Sequence, residues 1–258
     1  MRSGRTYFIA DLHLTDERPV ATGRFFRFLE EEAKGADALY ILGDLFEAWI
    51  GDDHDEQVAH DTARRLKSLA DTGTPIFFIP GNRDFMLAKV YARKSGMTLI
   101  PDPTRINLYG TATLLMHGDT LCIDDVAYQT FRRRIRHPFM LGLLRRLPFS
   151  WRRKMASQAR AGSESAKASK SSEIMDVNIK AVERSLRTHH AQRLIHGHTH
   201  RPAKHIHLLD GQECERWVVP DWYIRWGYVL CDGHGCALKA EPLFTEPPEH
   251  KIASNQGQ

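Results

Sequence analysis

The stretch "LIHGHTHRPAKHIH", residues 194–207, contains five histidines in fourteen positions, and they begin where a hydrophobic run ends. At four earlier places an apolar segment also stops and is followed by acids, amides or imidazoles. The five polar tips are "DLH" with Asp11 and His13, "GD" with Asp44, "GN" with Asn82, "HGD" with His117, and "GHTH" with His198 and His200. Because the carboxyl ends of strands in α/β sheets meet at one crevice, the pattern predicts one shared site.

The segments around the tips indicate a layered α/β core. "TYFIADLH", "ALYILGDLF", "PIFFIPGNRD" and "ATLLMHGD" are typical of buried strands, and amphipathic helices are predicted around "GRFFRFLEEEAK", "AHDTARRLKSLADTG" and "FMLAKVYARKSG". "AQRLIHGHTH" is again typical of a strand, and the remainder, with "HIHLL", "RWVVP" and "WGYVLC", alternates as antiparallel strands do. We therefore expect a core of residues 1–123 and 191–244 and a disordered tail, 245–258.

Residues 124–190 differ from the core because their pattern is helical and basic. Between Val126 and Ser163 there is no acidic residue but there are ten arginines and lysines, so the net charge of +4 leaves 4 − 10, or −6, for the rest of the chain. Large apolar side chains such as Phe131, Leu143 and Trp151 are interleaved with the arginines. The segment is predicted to be an inserted helical lid with its own local partner.

Composition places the chain among ordinary globular proteins, with 42% hydrophobic and 26% charged residues. No apolar stretch suits a signal peptide or a spanning helix, so we expect the protein to remain in the compartment where it is made. The four cysteines, Cys122, Cys214, Cys231 and Cys236, have no disulfide-framework spacing and are expected to be reduced. "CDGHGC" is interpreted as a structural turn rather than a zinc site.

The tips together supply two carboxylates, one amide oxygen and four imidazoles, without a thiolate. Asp11 and His13 are two residues apart, as are His198 and His200, so each pair projects to one side of extended backbone. Seven ligands exceed the needs of one tetrahedral ion but suit two ions that share a carboxylate. Mixed nitrogen and oxygen ligands favour Mn, Fe, Zn or Co. Such a centre attracts phosphate and acidifies bound water, which predicts hydrolysis of a phosphate ester or anhydride.

In their order, "DLH", "GD", "GNRD", "HGD" and "GHTH" resemble the signature of the calcineurin-like metallophosphoesterases. The resemblance implies an α/β fold in four layers, an αββα sandwich, with the helical lid inserted. It also implies that one ion is held by Asp11, His13, Asp44 and His200. The other is held by Asp44, Asn82, His117 and His198, with Asp44 bridging.

Arg83 departs from the common family pattern, which has histidine at this position of "GNHD". That histidine is credited with protonating the leaving group, whereas arginine stays charged and instead clamps phosphate through a bidentate fork. The substitution favours a phosphate leaving group, which needs little protonation. The alternative is that Arg83 merely pairs with Asp84.

Longer strings, "ALYILGDLFEAWIGDD", "GNRDF", "LMHGDTLCIDD", "IMDVN" and "LIHGHTHRPA", resemble the UDP-2,3-diacylglucosamine hydrolase family of lipid A biosynthesis. This resemblance implies that a metal-bound water, held by the Asp44-bridged pair of ions, attacks the pyrophosphate of UDP-2,3-diacylglucosamine. Two divalent ions are expected, with Mn2+ first. The substrate contacts that the resemblance implies are Asn82, Arg83, Asp125, Ser163, Lys167, Lys170 and His198.

The lid gains a role from the same resemblance. Its apolar side chains would line a channel for two acyl chains, and its arginines would face anionic headgroups at the cytoplasmic face of the inner membrane. No nucleic acid and no protein partner are expected. Two other hypotheses remain open: a phosphodiesterase that acts on nucleic acid or cyclic nucleotides, and a membrane adaptor built on an inactive phosphoesterase core.

Overall fold

A computed structural model describes residues 4–158 and 176–243 of the chain. The first half of the fold consists of β1 (Thr6–Ile9), α1 (Pro19–Glu31), β2 (Ala38–Ile41), α2 (Gln57–Asp71), β3 (Ile76–Phe78), α3 (Lys89–Ser95), β4 (Met97–Leu99), β5 (Thr104–Leu108) and β6 (Thr111–Met116). A 3-10 turn (Asp119–Leu121) follows, and then α4 (Val126–Ile135), α5 (Pro138–Arg146) and a helical segment over 149–158, here α6. The remaining elements are α7 (Ile179–Thr188), β7 (Arg193–His196), β8 (Ala203–Leu209), β9 (Gln212–Val218), β10 (Arg225–Asp232) and β11 (Gly235–Pro242).

The strands form two sheets, ordered β11-β10-β1-β2-β3-β4 and β5-β6-β7-β9-β8. Alternate residues of β1 face opposite sides: Phe8 lies in the core between the sheets, whereas Tyr7 and Ile9 pack against the outer helices. Helices α1 to α3 cover the first sheet, and α7 covers the second through Val182 and Leu186. This arrangement confirms the four-layer αββα fold.

The elements that the sequence predicts are present, and two short strands are added to them. β4 and β5 together occupy only eight residues of the range 97–108, too few for a clear alternation, so the pattern did not reveal them. β4 extends the first sheet in parallel with β3, and β5 pairs antiparallel with β6 at the edge of the second.

The predicted lid, 124–190, comprises α4, α5, α6 and α7. Helix α5 packs through Met140, Leu141 and Leu144 against the apolar core formed by the first sheet and helices α1 to α3. Helix α7 belongs to the layer outside the second sheet. Residues 159–175 and 244–258 lie outside the described part of the chain, and with them lie Ser163, Lys167, Lys170 and the predicted tail. Within 4–158 and 176–243, no helix is long and apolar enough to cross a membrane.

The expectation of four reduced cysteines is wrong for one pair. Cys231 and Cys236 stand directly opposite each other in the β10–β11 hairpin, with their Cα atoms 4.1 Å apart, and they form a disulfide. Sequence spacing did not reveal it because the pairing follows from the strand register. Cys122 and Cys214 are buried.

Candidate metal centre

The five polar tips converge because of the strand order. β1, β2 and β3 are parallel neighbours in the first sheet, and β6 and β7 are parallel neighbours in the second. Each of these strands ends one to four residues before its first tip residue, so the five tips meet at one edge of the sandwich. The structure thus brings all seven predicted metal ligands together.

The first group of donors lies around Asp11. Its Oδ1 is 3.6 Å from Nε2 of His200, and its Oδ2 accepts a 2.7 Å hydrogen bond from the backbone N–H of His198. Nε2 of His13 is 3.8 Å from Oδ2 of Asp44. Ligand atoms of Asp11, His13 and His200 all lie within 4.8 Å of one another, a separation that one ion can bridge.

The second group centres on Asn82. Its Oδ1 lies 2.9 Å from Nε2 of His117 and 3.0 Å from Nδ1 of His198. Nδ1 of His117 is 2.8 Å from the carbonyl oxygen of Leu42, which fixes the imidazole with Nε2 turned toward the other donors. Oδ1 of Asp44 is 3.9 Å from that Nε2. Asp44 therefore faces both groups, as a bridging carboxylate must.

The backbone at the tips is held in an uncommon conformation. Eight non-glycine residues of the described chain have positive φ, and five are candidate ligands: Asp11, His13, Asp44, His198 and His200. Left-handed backbone costs energy at residues with a Cβ, so its concentration here points to a functional constraint. Glycines provide the space: a Cβ on Gly43 would approach Gly81, and one on Gly81 would collide with Oδ1 of Asp44.

Several donor atoms of the centre are buried without a hydrogen-bond partner among the described residues. They include Oδ1 of Asp11 and Nε2 of His13, which are otherwise costly to bury. A cation would satisfy these atoms. The donor set, all oxygen and nitrogen, fits divalent ions that accept mixed ligands.

The charges around the centre keep Asp11 and His198 in the forms that bind cations, whereas they favour the protonated form of His117. Burial disfavours the ionised carboxylate of Asp11, but the imidazole of His200 outweighs it and holds the pKa below its usual range. Burial together with nearby His117 lowers the pKa of His198 to about 4, so its lone pair is free. For His117, burial is outweighed by the carboxylates of Asp44 and Asp119, and the pKa rises to about 9. A divalent ion would displace that proton.

Arg83 lies at the edge of the centre, where the sequence predicts a phosphate clamp. Its backbone N–H donates to Oδ1 of Asp44 at 2.8 Å, and its Nη1 is 3.7 Å from Oε1 of Glu47. The alternative, a pair with Asp84, is wrong because that carboxylate turns inward and accepts 2.7 Å hydrogen bonds from the N–H groups of Leu45 and Gly81. The guanidinium therefore remains on the side of the metal ligands.

A family profile of the calcineurin-like phosphoesterases matches residues 4–202. The chain is 50% identical over 238 residues to a UDP-2,3-diacylglucosamine hydrolase of Salmonella arizonae, with 92% of this chain and 99% of the relative covered. It is 50% identical to the hydrolase of that name from Aromatoleum aromaticum, with 88% and 93% covered. The chain belongs to the calcineurin-like phosphoesterase family. Divalent metal ions are cofactors of this family, in agreement with the donor set.

Among the other substrate contacts predicted for this calcineurin-like phosphoesterase, Asp125 caps α4, since Oδ1 accepts a 3.1 Å hydrogen bond from the N–H of Tyr128. Asn82 and His198 lie among the metal ligands. The remaining three, Ser163, Lys167 and Lys170, stay predictions because they fall outside the described residues.

Sequence reasoning missed Glu47, which is buried beside the centre. Oε2 of Glu47 is 3.3 Å from Nδ1 of His13 and accepts a 2.9 Å hydrogen bond from the hydroxyl of Tyr223. Burial would raise the pKa of Glu47, but His13, Arg83 and Tyr223 outweigh it and lower the pKa to about 2. The only available signal was an acid inside the apolar run "DLFEAW". Its charge helps orient both an imidazole ligand and the phosphate clamp.

Proposed function

We propose that the protein hydrolyses the pyrophosphate of UDP-2,3-diacylglucosamine to UMP and 2,3-diacylglucosamine 1-phosphate, a step of lipid A biosynthesis. Relatives that are about half identical over nearly the whole chain carry the name of this activity. The observation that carries the proposal is the position of Arg83 at the edge of the centre: its backbone N–H donates to the ligand Asp44, and its guanidinium pairs with Glu47. In related phosphoesterases this sequence position holds a proton donor. A leaving phosphate needs no such donor.

The residues of this chain divide the work between binding and orientation. Two divalent ions, Mn2+ in this proposal, would be held by Asp11, His13, Asp44 and His200, and by Asp44, Asn82, His117 and His198. When bound, the ions supply Lewis acidity that activates water and withdraws charge from phosphate. Arg83 clamps a phosphate oxygen through its fork, and Glu47 holds the guanidinium in place.

The lid is proposed to receive the acyl chains and to contact the anionic cytoplasmic face of the inner membrane. Phe139 is 75% exposed, Trp151 64% and Phe131 50%, and they are interleaved with arginines. Exposed aromatic side chains beside cationic ones are the combination that interfacial binding requires.

Flotation with anionic vesicles tests this proposal: Phe139→Ser and Trp151→Ser should weaken binding, whereas Leu208→Ser, equally exposed on β8, should not. Equal flotation of all variants would refute it.

The activity is tested by release of UMP from the lipid nucleotide, with single divalent ions added back to chelated protein. We expect Mn2+ to restore turnover, and we expect Arg83→Ala to lose about a hundredfold in kcat/KM while both ions remain bound. Arg83→Lys, which retains the charge but not the fork, should recover only part of the loss. Absence of UMP release, or efficient cleavage of oligonucleotides instead, would overturn the proposed function.

A further inference from the structure

Asp119 lies at the junction between the second sheet and helix α4. It follows the ligand His117 by two residues, and its side chain is fully buried. Oδ2 of Asp119 accepts hydrogen bonds from the hydroxyl of Tyr128 at 2.6 Å, Nε of Arg132 at 2.7 Å and Nη2 of Arg136 at 3.3 Å. Because these three residues are four positions apart, one face of α4 and its C-terminal cap are held by a single carboxylate.

Apolar packing does little to fix the position of helix α4. None of the residues Val126–Ile135 is buried, and Val126 and Phe131 are 69% and 50% exposed. Within the helix, only Ile135 packs against the hydrophobic core. Apolar packing normally fixes how a helix lies on a domain. Here that task falls to polar contacts, and three of them go to the carboxylate of Asp119. Gln129 also donates to the carbonyl oxygen of Cys122, and Arg132 also pairs with Asp102.

Two of the residues that Asp119 holds also border the metal centre. Nη2 of Arg136 donates a 2.7 Å hydrogen bond to the carbonyl oxygen of Gly81, the residue before Asn82. The ring of Tyr128 stacks on the imidazole of His198, with centroids 6.3 Å apart and planes 25° apart. One buried carboxylate therefore connects the lid helix to two of the tips that carry metal ligands.

We propose that Asp119 is a positioning residue that holds α4 over the metal centre and thereby shapes the substrate pocket. The hydrogen bonds of the Asp119 side chain go to α4 and its cap and not to the donor atoms of the metal ligands. It acts through Tyr128 and Arg136, which it orients toward the pocket. This inference rests on the proposed function, because a bulky lipid nucleotide is the substrate that needs the lid. Substrate binding should depend on Asp119 more than the chemical step does.

The test compares Asp119→Asn with Asp210→Asn, the same change at an exposed surface acid paired with Arg187. For Asp119→Asn, KM for the lipid nucleotide should rise about tenfold, as expected when charge-assisted hydrogen bonds are lost, with kcat within about twofold. Two ions per chain should remain by elemental analysis. Asp210→Asn should match wild type in all three measurements. An unchanged KM, a fall in kcat alone, or loss of an ion would overturn the proposal.

A double-mutant cycle distinguishes positioning from a general loss of stability. If Asp119 acts through Arg136, the double variant Asp119→Asn with Arg136→Gln should raise KM about tenfold and not about a hundredfold. The reason is that both substitutions remove the same contact, the one between these two side chains. Additive effects would contradict this coupling. Should Asp119→Asn fail to fold, Tyr128→Phe and Arg136→Gln change only the lid side of the contact, and wild-type KM in both would refute the proposal.

Limited trypsin cleavage provides a measurement that needs no activity. Arg133 and Arg134 are exposed on α4, and a released helix should be cut there several times faster in Asp119→Asn than in Asp210→Asn. If the wild-type protein releases no UMP, the proposed function has failed. The cleavage rates then still test whether Asp119 holds α4 on the core. Equal rates in both variants would overturn it.

Discussion

Oδ1 of Asn82 lies 2.9 Å from Nε2 of His117, although the two residues follow strands of different sheets. The amide belongs to the first sheet and the imidazole to the second, so this pair joins the two halves of the sandwich at the metal centre. Neither side chain needs the other for local structure. The contact is a hydrogen bond between the two side chains, and it places both donor atoms where a shared cation would be held.

Asn82→Ala should therefore reduce the metal content of the protein from two ions to one per chain. The variant loses the oxygen that lies between His117 and His198, whereas the donors around Asp11 keep their own contacts. Elemental analysis after dialysis against a trace of Mn2+ measures the content, and UMP release should fall by at least about a hundredfold. A variant that retains both ions would show that Asn82 is not a ligand.

Glu47→Gln should weaken metal binding although Glu47 is not a proposed ligand. The carboxylate is 3.3 Å from Nδ1 of His13, and removal of such an outer contact typically costs 10- to 100-fold in metal affinity. Mn2+ titration of the chelated protein measures this change. Tyr223→Phe is the matched control, because it removes one hydrogen bond to Glu47 and leaves the charge in place. Equal affinities in all three proteins would exclude the orienting role.

The ligands could be predicted from the sequence because each follows an apolar strand directly, and parallel strands bring such positions to one edge. Glu47 and Asp119 could not be recognised in this way. Their roles depend on which side chains arrive from distant segments: Tyr223 lies 176 residues from Glu47. Local pattern contains no information about that pairing.

The histidines show the same limit. The polar neighbours of His54 predict a surface residue, yet its side chain is 6% exposed and stacks on Trp49 with centroids 4.9 Å apart. His196, by contrast, follows the apolar residues Leu194 and Ile195, which predict a strand, and it lies buried at the end of β7. Polarity of flanking residues predicts exposure poorly where a lid folds back over the chain.

Gly51→Ala should destabilise the attachment of α6 to the core. Gly51 has φ of +144°, and a Cβ there would collide with Nη1 of Arg152, a buried guanidinium that donates to the carbonyl of Ile50 at 2.5 Å and pairs with Asp53. We expect a loss of about 2 kcal/mol in the free energy of unfolding. The loss is not larger because Asp53 is half exposed, so that solvent weakens its ion pair with Arg152. Gly142→Ala, in α5 with open space around it, should instead stabilise by about 0.5 to 1 kcal/mol. Urea unfolding of the chelated wild-type protein and of both variants measures these changes in the free energy of unfolding.

Glu215→Gln should remove a contribution to stability that depends on pH. Partial burial disfavours the charged form of Glu215, but hydrogen bonds from Lys204, Arg193 and Trp217 outweigh it and lower the pKa to about 2. A carboxyl group with a depressed pKa in the folded state stabilises the fold above its unfolded pKa of about 4.3, and this stabilisation disappears as pH falls toward 2.

The free energy of unfolding of the wild-type protein should therefore exceed that of Glu215→Gln by about 1 kcal/mol at pH 7. The expected difference is small because solvent screens these partly exposed ion pairs. The difference should shrink steadily between pH 5 and pH 2. Urea unfolding across this range, on chelated protein, measures the difference. A gap that stays constant with pH would mean that Glu215 contributes through packing and neutral hydrogen bonds, since only its ionisation can make the gap close in acid.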